Sequence, residues 1–260
     1  MNFYKITNES ETHNGMQYKT GLNVDIQQFN PKGDCKSGGI YFSREDILAF
    51  MEYGKWIRKV TLPENAKVYE NPGSPKKWKA DKVILGRKYK ITPKKIKQLI
   101  KEGADPKAGG SNALRWAAAE GHLEIVKLLI PVSDPKAGGS EALRWAANNG
   151  HLEIVKLLIP VSDPKSLDSE ALRWAATKGH LEIVKLLLPV SDPKSYGSEA
   201  LRWASINGHL KIVKLLIPVS EPKDNDSAAL KWAARRKHSR IVKLLIPVSD
   251  PKIVKELKLD

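Results

Sequence analysis

Three sets of side chains have the types and spacing for chemistry. Five histidines, His122, His151, His180, His209 and His238, recur every 29 residues. Imidazoles ligate metals, but ligands must converge within about 2 Å of one ion. One histidine per unit at equal intervals cannot converge, so these read as structural turn residues. Five cations, Arg115, Arg144, Arg173, Arg202 and Lys231, share another position at the same period. In stacked units they form a ladder. It would either meet an acidic partner or bond locally, to loop carbonyls or to Asp134, Asp163, Asp192, Glu221 and Asp250; local bonding is the expectation. The third set runs from Lys76 to Lys101, with 11 basic residues and one acid, Asp81. A basic stripe holding aromatics such as Trp78 and Tyr89 can bind phosphates and stack bases. Its candidate nucleic-acid contacts are Lys76, Lys77, Trp78, Lys79, Arg87, Lys88, Lys94 and Lys95. The other reading is a solvated junction that keeps the chain soluble. No zinc-finger, KH-type or RNP pattern accompanies the stripe.

The elements that carry these residues are written by a 29-residue block. It starts at Ala113, Ala142, Ala171, Ala200 and Ala229 and reads close to ALRWAAxxGHLEIVKLLIPVSDPK. Such a period marks a solenoid whose units bury their apolar faces against each other. In the second copy Ser140 is the expected N-cap of a first helix running to Asn149. Leu143, Ala146 and Ala147 share one face, Trp145 extends it, and Gly150 ends the helix. A second helix, from near His151 to Ile159, carries Leu152, Ile154, Val155, Leu157 and Leu158. Glu153 and Lys156 are spaced to pair, and Pro160 is the expected stop. Trp116 and its copies read as packing residues.

Gly121-His122-Leu123-Glu124-Ile125-Val126-Lys127-Leu128-Leu129 resembles the second-helix consensus of the ankyrin repeat. The resemblance covers 91–260 and implies a protein-binding solenoid. Two departures stand out. Asn112-Ala113-Leu114-Arg115 replaces the usual Thr-Pro-Leu-His, and 29 residues replace about 33, which implies a shortened finger. A half-repeat cap is expected over 91–107, starting at Thr92-Pro93. Repeats begin near 111, 140, 169, 198 and 227, and the last is a degenerate cap with Lys237 in place of the turn glycine.

Residues 1–90 lack the repeat and read as a small α+β domain. Strands are expected at Phe3–Thr7, Gly38–Phe42, Trp56–Leu62, Val68–Tyr69 and Val83–Leu85. Asn14-Gly15 signals a tight turn, a helix is expected from Ser43, and Thr20 to Lys36 reads as a long polar loop. Joined to such repeats, this domain resembles that of ankyrin-repeat proteins of large DNA viruses infecting amoebae and algae. That implies a viral protein acting on a host protein. His13 with Gly15, Gly21-Leu22 and Gly39-Ile40-Tyr41-Phe42-Ser43 also resembles the start of ADP-ribosyltransferase domains, which implies that His13 and Tyr41 hold a nicotinamide. The Gly15–Gly21 interval is shorter than that family's, and no late-strand glutamate follows.

Net charge is +15 and Cys35 is the lone cysteine. One thiol forms no internal disulfide, which suits a reducing compartment. MNFYKITNES has no apolar leader, and lysines interrupt every apolar stretch before membrane-spanning length. A soluble, intracellular, cytoplasmic monomer is expected, in the host cytoplasm if viral. The repeats offer no paired carboxylates, activated nucleophile or phosphate loop, so no enzyme, cofactor or metal is expected, while the long polar loop Thr20 to Lys36 leaves an activity of residues 1–90, of the ADP-ribosyltransferase kind, as the lesser alternative. The expected partner is another protein, with RNA or DNA as the alternative.

The copies differ at the ends of their first helices and at their loop tips. Leu167, Tyr196 and Ile206 are apolar at positions expected to be exposed, and with Asn148 and Lys178 they are the candidate partner contacts.

Overall fold

A computed structural model describes residues 2–31 and 38–259. Cys35 and part of the loop expected over Thr20–Lys36 lie outside the described residues. Two compact units are present: 1–117 with 124–134, and 118–123 with 135–260.

The first unit opens with β1 (Phe3–Thr7), the hairpin strands β2 (Thr12–His13) and β3 (Met16–Gln17), and β4 (Gly21–Val24). Asn14 and Gly15 both take positive φ at the hairpin tip, as a type I′ turn requires. β5 (Ile40–Phe42), β6 (Trp56–Thr61), β7 (Val68–Asn71), β8 (Lys77–Ala80) and β9 (Lys82–Lys90) follow. One sheet has the order β1-β6-β9-β4 and another β5-β8-β7. Their shared core is Met16, Tyr18, Ile40, Phe42, Val60, Ala80, Val83 and Leu85. Sequence reading missed β4, because Leu22 and Val24 face solvent while the buried residue is Asn23. Asn23 ties the chain by donating to the carbonyls of Lys19 and Gly21. The helix expected from Ser43 is instead a 3-10 segment, Glu45–Tyr53, broken at Phe50. Its Ile47, Leu48, Ala49 and Met51 are buried. A bulge between Arg58 and Val60 interrupts the β6–β9 pairing. There Arg58 grips buried Glu11 through Nε (2.7 Å) and Nη2 (2.9 Å).

Helices follow from Pro93. α1 (Pro93–Lys101) is the half-repeat, and the Thr92 hydroxyl accepts from Lys95 N as its cap. The pairs are then α2 (Ala108–Ala119) with α3 (Leu123–Leu129), α4 (Ala137–Asn149) with α5 (Leu152–Leu158), and α6 (Ser166–Lys178) with α7 (Leu181–Leu187). α8 (Ser195–Ile206) with α9 (Leu210–Leu216) and α10 (Asp224–Arg235) with α11 (Ser239–Leu245) complete the series. α12 (Pro251–Glu256) closes the end by burying Ile253 and Val254, with the Asp250 carboxylate accepting from Lys252 N. No strand occurs after Lys90 among the described residues, consistent with shortened fingers. Ala146, Ala147, Ala175 and Ala176 are fully buried, so small side chains let α4, α6 and α8 approach closely. Pro160 does not stop its helix outright. It converts the end into a 3-10 turn, Ile159–Val161: Ile159 itself stays in the α region (φ -49°, ψ -50°), but Pro160 has no N–H to continue the α-helical ladder.

Ser140 does not cap its own helix. α4 begins three residues earlier, and Gly138, Gly139 and Ser140 form a left-handed turn inside it. The buried Ser140 hydroxyl instead accepts from Asp163 N of the following loop, at 2.8 Å. Ser169, Ser198 and Ser227 do the same for Asp192, Glu221 and Asp250. Each serine therefore ties the first helix of its repeat to the return loop that ends the same repeat. In α6 and α8 the left-handed turn is occupied by Leu167 (φ 48°) and Tyr196 (φ 50°). L-residues pay roughly 1–2 kcal/mol in this region and glycine does not. Leu167→Gly is therefore expected to stabilise the repeats by about 1 kcal/mol, read as a raised denaturation midpoint; an unchanged or lower midpoint would show that packing outweighs backbone strain there.

The histidines do more than terminate turns. Nε2 of His151, His180, His209 and His238 donates to the carbonyls of Ala119, Asn148, Thr177 and Ile206, at 2.9–3.0 Å. Each imidazole also lies on the turn glycine of the preceding repeat. A Cβ on Gly150 or Gly179 would stand 2.7 or 2.6 Å from the Cε1 of His180 or His209. The glycine is thus fixed twice, by its left-handed φ of 82° and by the ring above it. Lys237, at the equivalent place in the last repeat, keeps φ 60°, and among the described residues no histidine follows His238.

Candidate functional site

In the second unit α4, α6 and α8 present the same positions side by side: a loop tip, a glutamate, a cation and a tryptophan. On α6 these are Leu167, Glu170, Arg173 and Trp174; on α8 they are Tyr196, Glu199, Arg202 and Trp203. The last three are spaced i, i+3 and i+4, one side of a helix. Arg144 donates from Nε to Gly139 O (2.9 Å), from Nη2 to Gly138 O (2.7 Å), and from Nη1 to Glu170. Arg173 donates from Nη2 to Leu167 O (3.1 Å) and from Nη1 to Glu199. Each arginine closes its own left-handed turn and pairs with the next repeat. For Arg144 and Arg173 bonding is local as expected, but the acids are these glutamates and not those of the return loops; Arg115 instead meets Glu52 at 3.2 Å, and Lys231 lies 3.9 Å from Asp226. Ala228 replaces the glutamate beyond Arg202, so Arg202 turns back to Glu199 at 2.6 Å. Burial acts to raise the Glu199 carboxyl. Hydrogen bonds from Arg173 and Trp203 and the two guanidinium charges outweigh it and hold the group below the usual carboxylate range.

Above this fixed network stand the apolar tips. Leu167 is 53% and Tyr196 64% exposed. The Arg173 guanidinium lies 4.9 Å from the Tyr196 ring centroid and orients it. The Trp145 and Trp174 rings meet at 5.3 Å, while Trp203 and Trp232 are more open, at 38% and 36%. Lys178 is exposed at the end of α6. Asn148 is half-buried, its amide on Asn149 and its carbonyl taken by His180. Ile206 is not exposed: it is only 9% accessible in the last turn of α8, folded into the packed interior. It cannot serve as an open contact in this arrangement.

The basic stripe does not form one face. Lys79 is fully buried, with its ammonium 5.7 Å from the rings of both Tyr41 and Tyr69. Trp78 packs edge-on to Phe3 at 5.2 Å, against the core. Neither can reach a phosphate or stack a base. Lys77 and Lys95 are half-buried, and Lys95 lies over Tyr4 and Tyr89. Lys88 lies 3.3 Å from Glu11 and over Trp56. Arg87, over Tyr89, Lys76 and Lys94 are exposed. β8 and β9, which carry most of these residues, belong to different sheets.

A cavity of about 150 Å3 lies in the first unit, where His13 and Tyr41 are both among its walls. Lys5, Tyr18, Phe50 and Lys77 also line it, and no Asp or Glu does among the described residues. His13 sits exposed at the mouth; partial burial and the nearby Lys5 ammonium lower its pKa, with Asp25 opposing. Lys5 was missed by sequence reading, although FYKIT is a strand whose alternation sets Lys5 beside Phe3 and Thr7. Among the described residues no three His, Cys, Asp or Glu side chains gather as a metal site, and no helix is long and apolar enough to cross a membrane.

The family model for ankyrin repeats matches three times, at 88–168, 143–226 and 172–256. Relatives of Acanthamoeba polyphaga mimivirus are similar to the chain. Two are named "Putative ankyrin repeat protein", R868 and R229, each 36% identical over 134 and 140 residues. These alignments cover 49% and 48% of this chain, but only 66% and 46% of the relatives. A third, "Uncharacterized protein R869", is 37% identical over 133 residues, 49% of this chain and 96% of its own length.

Proposed function

Because the chain belongs to the ankyrin-repeat proteins, we propose that it is a viral adaptor that holds a host protein on the first-helix face of its repeats. Ankyrin repeats mediate protein binding, and the relatives are mimivirus proteins. One observation carries the choice of face. Leu167 and Tyr196 are bulky, apolar and exposed, yet they occupy a left-handed turn filled by Gly138 or Asn225 in neighbouring copies. Strain accepted at an exposed position fits a contact better than a fold requirement. Lys178, and Asn148 with its partly covered amide, lie about 15 Å away at the other helix end, one helix length of about ten residues. The face is therefore wide enough for a partner to span. The assignment of 1–90 as a separate domain belongs to this proposal, as does action in the host cytoplasm as a monomer.

Tyr196→Ala is expected to weaken capture of an amoebal protein at least tenfold while shifting thermal stability little. Truncating a central aromatic contact commonly removes 2 kcal/mol or more, roughly thirtyfold. Capture should survive nuclease and moderate salt, because the contact is apolar; phosphate binding through Arg87, Lys88 and Lys94 would instead fall steeply with salt. A Tyr196→Ala chain that binds as well as the parent, or capture lost with nuclease, would overturn the assignment.

A further inference from the structure

The cavity beside β1 is not used by the repeats, and its chemistry is specific. β1 is an edge strand, bonded on its outer side to Ser43 through Tyr4 N and O. The cavity lies at this edge. Lys5 is 94% buried in its wall. Its Nζ donates to Tyr41 O at 2.9 Å and stands 4.5 Å from the Tyr18 ring centroid. An ammonium has three donors, so one remains beyond the carbonyl and the ring face. Lys77 and His13 add positive or potentially positive groups, and aromatic rings form much of the remaining lining.

We infer that this cavity binds a small planar monocarboxylate, with its ring or conjugated plane against the aromatic walls and its carboxylate on the Lys5 ammonium. Size supports a ring-sized guest: a cavity near 150 Å3 accommodates benzene. Charge supports an anion, because the lining holds Lys5 and Lys77 and no Asp or Glu among the described residues, and the one donor left on the buried Lys5 ammonium takes one carboxylate. Burial drives the Lys5 pKa down to about 7, with Asp25 opposing, which is the cost that a bound carboxylate would offset. The groups facing Lys5 are Tyr18, Tyr41 and His13, with Asp25 acting from outside the cavity.

The probe is benzoate, with benzamide as its uncharged isostere, titrated into the full chain and followed by chemical-shift changes at cavity residues. Benzoate is expected to bind with a Kd on the order of 1 mM, reasonable for so few atoms, and benzamide at least tenfold more weakly. Lys5→Met should abolish that preference. Thr12→Trp, at the exposed mouth, should block both probes without touching the core. Benzamide binding as tightly as benzoate, a preference that persists in Lys5→Met, or no shift at the cavity with either probe would each overturn the inference.

Discussion

Gly179→Ala is expected to cost about 2–3 kcal/mol, far more than a surface substitution at a helix end. Two effects combine. The position has φ 82°, where an L-residue pays roughly 1–2 kcal/mol. The new Cβ would also stand 2.6 Å from His209 Cε1 and 2.8 Å from Nδ1. His209 must move, and its 3.0 Å bond to Thr177 O is lost, worth about 1 kcal/mol. A double-mutant cycle separates the two. In a His209→Ala background the same change should cost only the backbone part. Lys237→Gly, at the equivalent turn with φ 60°, should stabilise by about 1 kcal/mol. Additive costs in the cycle would show that the histidine does not act as a clasp between repeats.

Lys5→Met is expected to abolish a pH dependence that the parent shows. Burial lowers the folded-state pKa of Lys5 from 10.5 to about 7. Between these values the unfolded chain holds a proton that the folded chain has released. More protons bound in the unfolded state means that stability rises with pH. The slope is about 1.4 kcal/mol per pH unit, rising through pH 7 and present toward 10.5. Below pH 7 the ammonium is buried at full cost, and that contribution is flat. Tyr4, raised to about 12 chiefly by burial and then by Glu102, and Tyr18, raised chiefly by burial, act with opposite sign only above pH 10. The clean window is therefore about pH 7 to 9.5, a gain of up to roughly 3 kcal/mol in the parent. Urea unfolding followed at Ile57 and Val83 resonances measures it. A parent curve flat across that window, or Lys5→Met with the same slope, would contradict a buried, depressed Lys5.

The repeat architecture was legible because it is written several times in apolar periodicity. Leu143, Ala146 and Ala147 identify the packed face of a helix from spacing alone, and Thr92-Pro93 identifies a helix start. The joints between repeats were not legible. Ser140 looks like an ordinary cap, and only three dimensions reveal that its hydroxyl closes its own repeat on Asp163 N, while Ser162 carries the joint by donating to Pro135 O of the preceding return loop. The same holds for Arg144 and Glu170, 26 residues apart. Ile206 was misplaced because composition gives no hint that the end of α8 turns inward. In the first unit β8 escaped notice because Lys77, Trp78 and Lys79 read as a surface stripe, whereas Lys79 is buried between two tyrosine rings. The candidate site was half visible. Exposed apolar tips at Leu167 and Tyr196 follow from the variation between copies, but the left-handed backbone beneath them does not.

Site-specific photocrosslinking tests the central claim most directly. A benzophenone side chain would replace Tyr196 in one full-length chain and exposed Lys185, on a second helix, in another. Both chains would be irradiated in amoebal lysate treated with nuclease. The account predicts one dominant protein adduct from position 196, reduced by excess unmodified parent chain and absent from position 185. Equal labelling from both positions, or an adduct only from 185, would contradict a partner face on the first helices.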